Sequence, residues 1–176
     1  MFIAVAGLPG VGKTRVIEKL HELDNCSIVV NEDLKFEESE EFRKFSKDLN
    51  IKAHYYYDLS KLIYLSKKIK KINYRNHNVY VDGYYIQKVA FYRAAGLDVE
   101  LDYEKNGILK PDITIMVVEN TNINENEDVN IKKNLVSLMK RGEKLTFYRS
   151  NIESNYKILF EEIKKKEEKY RRINRN

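Results

Sequence analysis

Met1-Phe2-Ile3-Ala4-Val5-Ala6-Gly7-Leu8-Pro9-Gly10-Val11-Gly12-Lys13-Thr14 is the stretch that decides the fold. Residues 2–6 read as a short buried strand that runs straight into a loop of the form Gly-x-x-x-x-Gly-Lys-Thr. Beyond it, Val16, Ile17, Leu20 and Leu23 recur at helical spacing, so the loop opens a helix. Glycines let such a loop wrap tightly, with several backbone N–H groups pointing inward at one phosphate. The helix adds the positive end of its dipole. In this pattern Lys13 sets a cation against the β- and γ-phosphates, and the Thr14 hydroxyl is a ligand for Mg²⁺. Gly7, Leu8, Pro9, Gly10, Val11, Gly12, Lys13 and Thr14 are the expected cradle of a nucleoside triphosphate.

Working outward, Ser27-Ile28-Val29-Val30-Asn31 is a second run of strand length. Residues 35–50 are charged, with Phe42, Phe45 and Leu49 on a narrow helical stripe. A long helix is predicted from about 52 to 73, carrying Tyr55, Leu59, Leu62, Ile63, Ile69 and Ile72 on its inner side. After the turn Asn76-His77-Asn78, Val79-Tyr80-Val81 reads as a third strand ending at Asp82-Gly83. A helix over 84–96 stops at Gly96, and Ile113-Thr114-Ile115-Met116-Val117-Val118 is the clearest strand. A loop rich in Asn and Glu follows from Asn120 to Asp128, and two further helices close the chain. Strands alternating with helices predict an α/β fold: a P-loop NTPase of three layers, α/β/α, around a parallel sheet of about four or five strands. One domain over residues 1–176 accounts for the whole chain.

No run of about eighteen apolar residues occurs, so no membrane span is expected, and the N-terminus does not read as a signal peptide. A cytoplasmic protein is the expectation. The single cysteine, Cys26, excludes an internal disulfide and a cysteine-built zinc site, and reads as a small apolar side chain in a strand. The net charge of +5 is concentrated near the end, in Lys164-Lys165-Lys166 and Lys169 to Arg175. Glu161, Glu162, Glu167 and Glu168 are interleaved with it, which reads as a solvated helix face, so nucleic acid is not an expected partner. His21, His54 and His77 have no mutual spacing that suggests a metal site.

No Asn-Lys-x-Asp tetrapeptide for reading guanine is present, and no strand ends in two acids. The third strand ends in one, Asp82. A strand end beside the glycine loop is within reach of Mg²⁺ and of a phosphoryl acceptor. Asp82 would steer the ion or orient an acceptor hydroxyl, the alternative being an ordinary Asp-Gly turn.

Further segments stand in a telling order: Tyr55-Tyr56-Tyr57-Asp58-Leu59, Val81-Asp82-Gly83-Tyr84, Val89-Ala90-Phe91-Tyr92, Lys110-Pro111-Asp112-Ile113-Thr114 and Lys140-Arg141-Gly142-Glu143-Lys144. With the glycine loop they resemble the thymidylate kinase family of nucleoside monophosphate kinases, and the related deoxynucleoside kinases, over roughly residues 2–160. The resemblance implies ATP as donor, Mg²⁺ as cofactor, a (deoxy)nucleoside monophosphate as acceptor and Lys13 as a catalytic cation. It implies that Asp82 lies between the two substrates, that Tyr57, Tyr84 and Phe91 line the acceptor pocket, and that Arg141 enters from a lid near 140–150. A charged C-terminal helix over 152–173 would follow the lid, and a homodimer is left open.

Departures are equally clear. The family's arginine after the strand aspartate is here Gly83, its other acceptor-side arginine is Leu59, and its base-reading glutamine is Tyr92. Arg93, next to Tyr92, is the substitute cation on offer. A fifth strand near the C-terminus is not recognisable. Two alternatives therefore stay open: a kinase of an unphosphorylated acceptor such as a deoxynucleoside, and a diverged, non-catalytic NTP-binding module.

Overall fold

The computed structural model describes residues 1–30, 50–72, 77–119, 126–139 and 144–173. Along the chain these form β1 (Phe2–Ala6), α1 (Lys13–Leu23), β2 (Ile28–Val30), α2 (Ile51–Lys71), β3 (Val79–Asp82) and α3 (Tyr85–Ala94). There follow β4 (Ile113–Val118), α4 (Asn126–Met139), β5 (Lys144–Tyr148) and α5 (Glu153–Ile173). The strands make one sheet in the order β2-β3-β1-β4-β5, every neighbouring pair parallel.

Strand alternation divides the core between two faces. Phe2, Ala4 and Ala6 of β1 pack with Val79, Val81 and Met116 under residues of α2, α3 and α4. Ile3 and Val5 pack with Tyr80, Ile113, Ile115 and Val117 against residues of α1 and α5. Both faces are apolar because both are covered, which is why the central strands read as unbroken apolar runs. Local chemistry sets the ends of the elements. The Asn50 carboxamide oxygen accepts from Ala53 N–H at 3.0 Å and caps α2. Asp112 ties the start of β4 to β1: its backbone N–H donates to Phe2 O at 2.8 Å, and its carboxylate accepts from Phe2 N–H at 2.8 Å.

The sheet has five strands, within the four or five expected, and one expectation, for Cys26, needs correction. The fifth strand exists: Lys144–Tyr148 pairs with β4, from Thr114 against Lys144 to Val118 against Tyr148. It occupies residues read above as lid. Its Phe147 is buried against Tyr156 of α5, ring centroids 5.1 Å apart. Cys26 is exposed, in the turn before β2 rather than inside a strand. The helical stripe expected over 35–50 falls almost wholly outside the described residues, as do residues 120–125 and 140–143. Among the described residues no helix is long and apolar enough to cross a membrane.

Candidate functional site

Because all five strands are parallel, their carboxyl ends lie along one edge of the sheet. The glycine loop leaves β1 there, Asp82 closes β3, and Glu119 and Arg149 follow β4 and β5. Gly7 is required by close packing: a Cβ at that position would lie 2.7 Å from Val117 O and 2.9 Å from a Val11 methyl. Gly12 has φ 94, a left-handed conformation, and stands at the N-cap of α1 with no side chain to cap it. The first N–H groups of α1 thus have no side-chain acceptor at the cap, the arrangement that receives an anion. Lys13 Nζ donates to Leu8 O at 3.0 Å, folded back along its own loop.

Thr14 Oγ1 donates to Asp82 Oδ2 at 2.6 Å, across 68 residues of chain. The strand end that carries Asp82 is fixed by Gly83 N–H donating to Val5 O at 2.8 Å. A hydroxyl and a carboxylate side by side are hard oxygen donors of the kind Mg²⁺ takes, alongside substrate phosphates. Among the described residues no three His, Cys, Asp or Glu side chains form a fuller metal cage.

On the neighbouring flank, α2 and α3 meet through Asp58. Its carboxylate accepts from Tyr92 OH at 2.8 Å and pairs with Lys88 Nζ at 3.2 Å. Tyr55 packs edge-on against Tyr92 at 5.2 Å. Tyr57 is half-buried, with the Lys61 ammonium 4.3 Å above its ring. Phe91 is 47% exposed and also packs edge-on against Tyr92. Gln87 Oε1 is buried without a hydrogen-bond partner, an orphaned acceptor on α3.

Two expected acceptor residues are elsewhere. Tyr84 is 0% exposed: its ring stands edge-on to Phe2 at 5.0 Å, and its hydroxyl bonds Ser66 at 2.7 Å and Leu109 O at 2.9 Å. It is a core residue, and it holds φ 145, a costly conformation for a side chain of this size. Arg93 is in the last turn of α3, about 12 Å along the helix from its start at Tyr85. Its Nε donates to Val99 O at 2.7 Å. It lines a cavity of about 720 Å³ together with Pro111, Thr114, Leu138 and Lys144, at the opposite end of the sheet. Arg141 lies outside the described residues.

Sequence reading missed Arg149 and the Asp58–Lys88–Tyr92 cluster. Recognising β5 would have found Arg149, the residue immediately after a carboxyl strand end. The cluster had no such signal, because it joins two helices whose relative rotation is set only by packing.

A phosphate cradle following the central strand of a parallel five-stranded α/β sheet defines a P-loop NTPase fold. Within that class the chain is similar in three dimensions to two solved thymidylate kinases. The chain is similar to the solved thymidylate kinase of Ehrlichia chaffeensis, with a TM-score of 0.68 and 17% identity over 94% of this chain and 97% of that one. It is similar also to that of Candida albicans, with a TM-score of 0.69 and 13% identity over 94% and 92% of the two chains. No family model matches the chain, and no curated protein matches its sequence. At these identities the likeness is one of fold.

Proposed function

We propose that this chain is an ATP-dependent phosphotransferase that moves the γ-phosphate of ATP to a (deoxy)nucleoside monophosphate. The observation that carries the reading is the Thr14–Asp82 contact at 2.6 Å, which joins the phosphate cradle to the end of the next strand. The loop N–H groups hold the β-phosphate, and Lys13 exchanges Leu8 O for the β- and γ-phosphate oxygens. Thr14 Oγ1 and the Asp82 carboxylate would hold Mg²⁺, which when bound neutralises charge on the transferring group. Asp82 would also lie between the two substrates, where the attacking group of a monophosphate acceptor is an oxygen of its phosphate. Tyr57 and Phe91 are the proposed acceptor-side aromatics, and Arg141 is the proposed lid cation. An ADP-release assay across nucleosides and their monophosphates, with Lys13→Ala as blank, tests this. Mg²⁺-dependent turnover of a monophosphate supports it, and no turnover across the panel sinks it.

A second reading has its own observation. Gly83 and Leu59 stand where the resembling family carries arginines, and the Lys88 ammonium of α3 is already partnered by Asp58 of α2. An acceptor without a phosphate needs neither guanidinium. Turnover of thymidine or deoxycytidine, with none of their monophosphates, selects this reading. Tight ATP binding with no turnover of any acceptor selects a non-catalytic module instead.

A further inference from the structure

Arg149 is the arginine that the fold brings to the phosphate cradle. It follows β5 directly, and its backbone N–H donates to Val118 O at 2.7 Å, which locks it against the end of β4. The next residue is held as firmly: Ser150 O accepts from Tyr156 OH at 2.8 Å, and Ser150 Oγ from the Asn155 amide at 2.8 Å. From this anchored position the side chain crosses to the glycine loop. A Cβ built on Gly12 would meet Arg149 Nε at 3.7 Å and its Cδ at 3.9 Å. The open face that glycine leaves at position 12 is thus covered by an arginine stem.

One terminal nitrogen, Nη1, bonds the Glu119 carboxylate at 2.9 Å, and the pair is half-exposed. A guanidinium has five N–H donors in a rigid fork suited to phosphate oxygens, and one exposed carboxylate engages only part of it. No other arginine occurs in the chain between Arg93 and Arg141, so the segment linking β4 to α4 carries none of its own.

We propose that Arg149 is a donor-phosphate residue, binding the phosphate chain of the nucleoside triphosphate from the β5 side of the cradle while Glu119 holds it in reserve. This rests on the kinase reading of the same site. Phosphate oxygens compete with the Glu119 carboxylate for the guanidinium, so nucleotide binding and the ion pair oppose each other.

Calorimetric titration of the full chain with Mg·ATP and with Mg·tripolyphosphate tests the proposal, comparing the native protein with Arg149→Met and Glu119→Gln. Arg149→Met is expected to weaken both ligands about 10- to 100-fold, the range of a charge-assisted hydrogen bond, with an unchanged melting temperature in the absence of ligand. Glu119→Gln is expected to tighten both. Unchanged affinity in Arg149→Met overturns the proposal and leaves the kinase reading standing. Loss confined to ATP, with tripolyphosphate unaffected, overturns it in favour of a base contact. Weakening by Glu119→Gln as large as that by Arg149→Met overturns it in favour of a structural clamp. Native protein that binds neither ligand overturns the kinase reading and this proposal together.

Discussion

The glycine-loop cradle and the α2–α3 cluster are built by different means. In the cradle, the proposed function rests on backbone: a loop of eight consecutive residues, a helix start and one strand-end carboxylate. Every part is fixed by chain continuity or by pairing between β1 and β3. On the flank, function would be carried by side chains from two helices, and Asp58, Lys88 and Tyr92 satisfy one another there. A backbone site tolerates divergence because most side chains around it can change while its N–H groups stay in place. A side-chain site is rewritten by each substitution.

The largest effects should therefore come from the cradle. Lys13→Ala and Asp82→Asn are each expected to lower kcat by about 10²–10³-fold, the cost of removing one preorganised charge-stabilising group. Circular-dichroism melts should change little, since both side chains stand at the partly exposed edge of the sheet. Retention of kcat within threefold in either variant would break the contrast at its stronger end.

Lys88→Met comes next and probes the flank directly. If the acceptor bears a phosphate, KM for the monophosphate should rise about 10- to 100-fold, the loss of one hydrogen bond to a charged group. KM for the corresponding nucleoside should not move. Equal changes for both acceptors would mean that Lys88 only braces Asp58.

The contrast also explains what was legible from sequence. The β1–loop–α1 unit is local, so its pattern survives in fourteen consecutive residues. Asp82 could be placed because a buried strand followed by Gly83 marks a strand end. β5 was hidden because only Phe147 among its five residues is fully buried, which leaves a weak alternation beside a charged Lys-Arg-Gly-Glu run. Tyr84 and Arg93 were misplaced for a geometric reason. Linear distance from Asp82 says nothing about the direction in which α3 leaves the edge, and that direction carries Arg93 to the opposite end of the sheet. Tyr84 turns inward at φ 145, a backbone choice that no side-chain pattern announces.

Gly7→Ala is a smaller perturbation of the cradle that leaves every polar group in place. The added methyl meets Val117 O at 2.7 Å, so either the loop or β4 must shift. Overpacking of this kind costs about 1–3 kcal/mol, measurable as a lower urea midpoint at constant m-value. ATP affinity should fall with it, because the cradle is that backbone. Full stability with native affinity would show that the close approach of loop and strand is not needed.

Tyr84→Phe is the mildest change, and it separates core from site most cleanly. Burial raises the pKa of Tyr84, and that of Tyr80 likewise, above the ordinary value of 10.0. The native state therefore keeps phenol protons that the unfolded chain loses above that pH, and unfolding is favoured as pH climbs. Stability should be flat with respect to these groups below about pH 10, then fall by up to about 1.4 kcal/mol per pH unit for each of them. Tyr84→Phe removes one such contribution, so its stability should decline less steeply between pH 10 and 11.5. At neutral pH the variant should lose only about 1 kcal/mol, because the Ser66 hydroxyl and Leu109 O keep each other as neighbours after the phenol is gone. Leu109 N–H still donates to Ser66 Oγ at 2.9 Å, which holds that corner closed. Acceptor KM should stay at the native value throughout. A rise in KM without loss of stability would return Tyr84 to the acceptor pocket, and would mean that the edge of the sheet opens more deeply than its packing indicates.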